Sequence, residues 1–217
     1  MQGRKIIIYI IIVAFIIPLI KVTLTNDFIR NVKTFFNKEN SEKTFPERKL
    51  LKGECYIKLR DFDQVFETKK NPQDLNKNKY NTQDYHGSII IRGNINNKYN
   101  LFFYGHNTYD GKMFSNLTKY QNRYLLLNSK GIDVKTNKTT EHYRIVFAKK
   151  INIQSENPWI FAKLNSYHEL IRYKKYLKSQ DDSFKINSHK LITLMTCTNE
   201  DEEDKRFFVV GERSKKW

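Results

Sequence analysis

The sequence predicts a mainly β domain, built as a barrel or a sandwich, with a helical lead-in before it and one helix inserted in it. Three observations predict this. From about residue 54 onward, short apolar runs rich in Ile, Val, Phe and Tyr are cut by Asn, Gly and Asp, which is the pattern of strands and turns. The runs are numerous enough for a closed or two-layered sheet. Hydrophobic residues make up 39% and aromatics 14% of 217 residues, with only 8 Gly and 4 Pro, so a packed core is available and a disordered or fibrous chain is excluded.

Taken in order, the first element is Ile6 to Ile20, fifteen residues without a charge. A membrane-spanning helix needs about 20 residues, and the run reaches that length through Val22 and Leu24 if Lys21 snorkels. A cleaved signal peptide should end in small residues of the A-x-A kind, whereas Pro18, Leu19, Ile20, Lys21 and Val22 follow here. Residues 1–25 are therefore expected to be a membrane anchor. Arg4 and Lys5 on one side face Lys21, Arg30, Lys33 and Lys38 on the other, so charge alone does not fix its orientation. Phe28, Ile29, Val32, Phe35 and Phe36 then fall at helical spacing, and Asn37 to Lys43 is polar, so residues 26–44 are expected to be a helical lead-in and linker.

Residues 45–217 are expected to form the main domain. Its strands are expected at Cys55 to Leu59, Ser88 to Ile91, Leu101 to Tyr104, Tyr124 to Leu127, Tyr143 to Phe147, Leu191 to Met195 and Phe207 to Val210. Between the fifth and sixth, Ile160, Leu164, Tyr167, Ile171 and Leu177 mark one face of an amphipathic helix over Trp159 to Leu177. Such a helix either walls a groove or packs on the flank of the sheet.

The net charge of +16 is spread along the chain and favours an anionic partner: nucleic acid, lipid head groups or an acidic cell-wall polymer. No basic recognition element with stacking aromatics is present, and an anchored chain does not meet DNA, so nucleic acid is excluded as a partner. Cys55 and Cys197 are the only cysteines, with no C-x-x-C and no His spaced for zinc beside either.

Cys197 ends an apolar run, five acids from Glu200 to Asp204 follow, and Arg206 opens the next run. A nucleophilic thiol needs a base or cation to hold its thiolate and a donor for the oxyanion it creates. Of the five histidines, His106 alone combines a strand end with a preceding glycine, Gly105, and a following amide, Asn107. Arg206 would face Cys197 across a hairpin, as a permanently charged fork of donors. The acidic run is a solvated loop tip or a calcium site, although no Asp-x-Asp-x-Asp-Gly pattern is present.

GHN around His106, T-L-M-T-C from Thr193 to Cys197, and Arg206 leading RFFVVG together resemble the His, Cys and Arg signature of sortases, Gram-positive transpeptidases anchored by an N-terminal helix. The helix before the cysteine strand and the helical lead-in are similar to class B members, and the likeness covers about residues 45 to 213. The chain departs from the family pattern at Met195, often Ser, at Thr198, commonly acidic, and at GECYIKL, where a glycine-tryptophan pair is usual.

The resemblance implies a closed β-barrel and a thioester mechanism without a cofactor. Cys197 would attack a threonine carbonyl in a C-terminal sorting signal of a secreted protein, of the Asn-Pro-x-Thr type for a class B member. His106 would serve as acid and then base, and Arg206 would hold the oxyanion and the peptide backbone. Tyr104, Asn107, Thr196 and Thr198 would contact the peptide, and the Thr198 N–H would be a second oxyanion donor. The acceptor would be an amine of a cell-wall precursor or a pilin. A single-pass anchor in the cell membrane would hold the catalytic domain outside. Two alternatives compete: a cysteine protease that delivers the acyl group to water, and a membrane-tethered binding protein that is not an enzyme.

Overall fold

The computed structural model describes residues 43–78, 80–153, 158–198 and 204–214. The expected anchor, most of the lead-in and most of the acidic run lie outside the described residues. Among the described residues no helix is long and apolar enough to cross a membrane.

Eight strands close into a barrel: β1 Tyr56–Leu59, β2 Gln64–Lys69, β3 Ile89–Arg92, β4 Asn100–Gly105, β5 Ile132–Lys135, β6 Thr140–Asn152, β7 Leu191–Cys197 and β8 Lys205–Arg213. Around the barrel they run β1, β2, β3, β4, β7, β8, β6, β5. All pairs are antiparallel except β2 with β3 and β4 with β7. A parallel pair needs a long crossover. The connection from β4 to β7 contains β5, β6 and the two α-helices of the described residues, α1 Arg123–Leu127 and α2 Tyr167–Gln180.

Strand side chains point alternately to two faces, and both faces of the central strands are buried. Leu101, Phe103, Ile192, Leu194, Phe207 and Val209 fill the barrel interior. Phe102, Tyr104, Leu191, Met195, Phe208 and Val210 point outward into a second core. That outer core is completed by Phe161, Leu164 and the α2 residues Leu170, Tyr173, Tyr176 and Leu177. Double burial is why β3, β4, β7 and β8 read as unbroken apolar runs and not as alternations.

A buried polar chain fastens α2 to the barrel. Tyr173 Oη lies 2.8 Å from Thr193 Oγ1, Thr193 donates to Asn100 Oδ1 at 3.1 Å, and Asn100 Nδ2 donates to the Phe161 carbonyl at 2.9 Å.

The structure corrects the sequence in three places. Tyr124 to Leu127, expected as a strand, is helical, because the Asn122 side chain caps it by accepting from the N–H groups of Tyr124 and Leu125 at 2.9 and 3.2 Å. Only Leu126 of this helix is buried. The helix expected over Trp159 to Leu177 divides into a 3₁₀ segment, Pro158–Lys163, and α2. Ser166 and Glu169 form a reciprocal capping box that restarts the helix, which resets its phase. Its buried face is thus Leu170, Tyr173, Tyr176 and Leu177, while Tyr167 is 51% exposed. Finally, β2 and β5 are strands absent from the expected set: β2 is mostly half-buried, and β5 carries the buried Asp133, which meets His142 Nδ1 at 2.7 Å.

Candidate active site

Three neighbouring strands end side by side. In the register of β4 with β7, Gly105 stands opposite Thr196, so His106 and Cys197 are the next residues along each chain. In the register of β7 with β8, Cys197 stands opposite Arg206. With about 4.8 Å between strands, the three backbones share one patch at one end of the barrel. The alternation also agrees: Cys197 follows Met195, Arg206 precedes Phe208 and His106 follows Tyr104, all on the outer face.

The row beneath, Tyr104, Met195 and Phe208, is sealed under the outer core. Cys197 is the first residue of β7 to be exposed. It is a free thiol. Cys55 is also free but fully buried, with its sulfur 3.4 Å from Thr68 Oγ1, and burial pushes its thiol up to about 12. One thiol is inert and the other is presented to solvent.

His106 is half-buried, and its Nε2 lies 2.9 Å from Asn76 Oδ1. Burial pushes the ring below its ordinary pKa, and a hydrogen bond to the Leu75 backbone opposes that only in part. Burial thus favours the neutral ring. Gly87 makes this approach possible: at φ +61°, a Cβ there would stand 1.8 Å from the Leu75 carbonyl oxygen and 3.0 Å from His106 Cδ2. Gly105 has a packing role. It lies inside β4, where a Cβ would meet Ile89 Cδ1 at 2.3 Å.

The two loops that flank the ring are tied by His86. Its Nε2 is 2.6 Å from Asp110 Oδ2 and its Nδ1 is 3.1 Å from Asp84 Oδ1. The bond from His86 holds the Asp110 carboxyl far below the usual carboxylate range.

Arg206 is half-buried and its Nη1 donates to the Lys205 carbonyl at 2.8 Å. Tyr104, 9% exposed, hydrogen-bonds Arg92 across from β3. Asn107 is half-buried and bridges to Met113 at the base of the next loop. Thr196 and Thr198 point the other way. Thr196 is buried and donates to the Gly105 carbonyl at 2.9 Å, and Thr198 donates to the Lys205 carbonyl at 3.2 Å. Both hydroxyls brace strand ends, unlike the outer-face contacts expected of them. Asn76, Leu75 and Gly87 carry no sequence signal for their part, because only the fold brings a turn 30 residues upstream onto the His106 ring.

The sequence matches the family model of the sortase domain over residues 63–214, which spans β2 to β8. No curated protein sequence matches it. Sortase B of Clostridium perfringens is 22% identical, with a TM-score of 0.62 over 74% of this chain and 93% of that one. Sortase B of Staphylococcus aureus is 22% identical, with a TM-score of 0.62 over 76% and 82%. A Streptococcus pyogenes class B sortase involved in pilus biogenesis is 14% identical, with a TM-score of 0.60 over 74% and 91%. The barrel closed by β4 beside β7, the free thiol at its rim and the match across seven of its strands lead to one conclusion: this chain belongs to the sortase family, the cysteine transpeptidases, with a fold like that of class B members.

Proposed function

We propose that this chain is a membrane-anchored sortase that cuts a C-terminal sorting signal after threonine and joins the new acyl end to an amine of the cell wall or a pilin. The observation that carries the reading is the row of His106, Cys197 and Arg206 at one end of three adjacent strands, on one face. Residues 1–25 would anchor the chain in the cell membrane with the domain outside, where such substrates and amines are found.

The thiolate of Cys197 attacks the threonine carbonyl, and the carbonyl π pair moves to oxygen. The Arg206 guanidinium, aided by the Thr198 N–H, donates to that oxyanion. The C–N bond then breaks, the departing amine takes a proton from His106, and a thioester remains. An acceptor amine attacks the thioester, His106 takes its proton and the thiolate leaves. Asn76, which meets Nε2, orients the ring for these transfers. Burial disfavours the charged imidazolium and so lowers the His106 pKa. Tyr104 and Arg92 floor the groove, Asn107 lines it, and Thr196 positions the β4 and β7 ends.

Incubating the full chain in detergent with a peptide library and an amine such as triglycine, then reading products by mass spectrometry, tests the reading. Amine-linked products ending in threonine are expected, first among peptides of the Asn-Pro-x-Thr type. A free acid as the sole product makes the chain a protease. No turnover by the wild type, with Cys197 no more reactive than a peptide thiol, leaves only a binding protein.

A further inference from the structure

At the other end of the barrel a second groove runs along residues 183–187. It has two lobes. One, about 430 Å³, lies between α1, β6 and this segment, and the other, about 310 Å³, lies between the segment and α2. Phe184 and Lys185 line both lobes. Arg206 pairs with Ile151 and the groove reaches Ile145, six residues back along β6. At about 3.3 Å per residue, the groove lies on the order of 20 Å from the thiol.

Its chemistry is two-sided. Leu126, Val146, Leu177, Phe184 and Ile186 make the floor apolar. Arg123, Arg144, Lys174, Lys178 and Lys185 ring it with five cations. Its acids are Asp181, Asp182 and Glu212, and two are already engaged. Glu212 binds Arg144 and accepts from the N–H groups of Asn187 and Ser188 at 2.7 and 2.9 Å, and Asp181 accepts from the Ser183 N–H at 3.0 Å. Burial lowers the pKa of Lys174, which the nearby Glu212 carboxylate opposes.

The backbone supplies an independent observation. Among the described residues, the N–H and C=O groups of Phe184, Lys185 and Ile186 enter no hydrogen bond. A segment with open main-chain groups between two apolar lobes is what an extended peptide needs, because its backbone pairs with the segment while alternate side chains enter the lobes. We propose that this groove docks an extended acidic peptide of a partner protein, with carboxylates alternating with apolar side chains. Lipid head groups or a phosphate polymer would use the cations but leave the open backbone unmatched.

The test uses the full chain in detergent and a fluorescent octapeptide of alternating Asp and Leu, read by anisotropy. Saturable binding is expected, with wild-type transpeptidation at saturating peptide, since the two sites are far apart. Arg123→Glu with Lys185→Glu should weaken binding by about tenfold, as each exposed ion pair contributes only a few-fold. Phe184→Ser, with both charges kept, should also weaken it. The melting temperature and transpeptidation rate of each variant show that it folds, and Lys185→Gln alone replaces the double variant if that fails. The proposal is overturned if the double variant binds as tightly as wild type. Equal binding of an Asp and Ser octapeptide overturns it too, as does displacement of the probe by phosphatidylglycerol vesicles or polyphosphate but not by unlabelled Asp and Leu peptide.

Discussion

Replacing Asn76 by alanine removes the side-chain acceptor that fixes the His106 ring. In the wild type, Asn76 Oδ1 receives the Nε2 proton at 2.9 Å, which fixes the orientation of the ring. A hydrogen bond of this kind is worth about 0.5 to 1.5 kcal/mol, and a half-buried N–H left without a partner costs at least that much. Carried into the transition state, this is about a 2- to 12-fold loss of rate. Because the bond orients the acid and base and touches no substrate, kcat should fall by that factor while KM stays within about twofold. The melting temperature should hold, since the backbone bond of Asn76, from the Asp84 N–H at 2.9 Å, is untouched.

Asn76→Asp probes the same contact with the opposite sign. Burial holds the His106 pKa below its ordinary value, so the protonated ring becomes abundant only as pH falls. A carboxylate at the position of Asn76 Oδ1 favours the cation and raises the pKa. The acid limb of the kcat/KM profile should therefore move to higher pH in Asn76→Asp and stay near its place in Asn76→Ala. The assay is cleavage of a quenched peptide across pH 5 to about pH 9. If Asn76→Ala keeps kcat within twofold and Asn76→Asp leaves the acid limb unmoved, the ring is not held through Asn76.

Three further outcomes follow from the same geometry. Arg206→Lys should lower kcat by about 100-fold or more with an unchanged circular dichroism spectrum, because a single ammonium does not replace a fork of donors at the oxyanion. A neutral alkylating reagent should add once to the native chain, at Cys197, and not at Cys55, whose thiol is buried and pushed up to about 12; peptide mapping by mass spectrometry checks this. Asn100→Ala should destabilise the domain by about 2 kcal/mol, since it strands the Phe161 carbonyl and the Thr193 hydroxyl in a dry interior, while Tyr173→Phe should cost about 1 kcal/mol; urea unfolding measures both.

How much of this was legible in the sequence depended on burial. LFFY in β4, LITLM in β7 and FFVV in β8 are buried on both faces and stand out as apolar runs. QVFETK in β2 is mostly half-buried on both faces, so neither apolar length nor alternation marks it. RYLLL misled because its apolar residues are largely outside: Tyr124 is 78% and Leu127 69% exposed, and a local cap decides the conformation. His106, Cys197 and Arg206 drew attention as candidates because each stands at the rim of a doubly buried run. Asn76 was not, because its contact spans 30 residues and rests on the positive φ of Gly87.

The division of faces explains why the proposed row falls where it does. Along β4, β7 and β8 the outer face is covered by the 3₁₀ segment and α2 as far as Tyr104, Met195 and Phe208, and that cover ends one row before Cys197. A thiol one step earlier on that face would be sealed like Met195, at 3% exposed, and a thiol on the inner face would be buried like Thr196. The first outward position beyond the cover joins two needs: a backbone held rigid by ladders on both sides, and a side chain that reaches solvent. The capping box at Ser166 acts on this too, since it sets the phase that turns Leu170, Tyr173 and Leu177 onto the barrel. A Ser166→Ala variant, which removes the cap, should lower stability by about 1 kcal/mol in urea unfolding and leave alkylation of Cys197 unchanged, since the α2 N-terminus lies by Asn97 and His189, at the far end of β4 and β7 from the thiol.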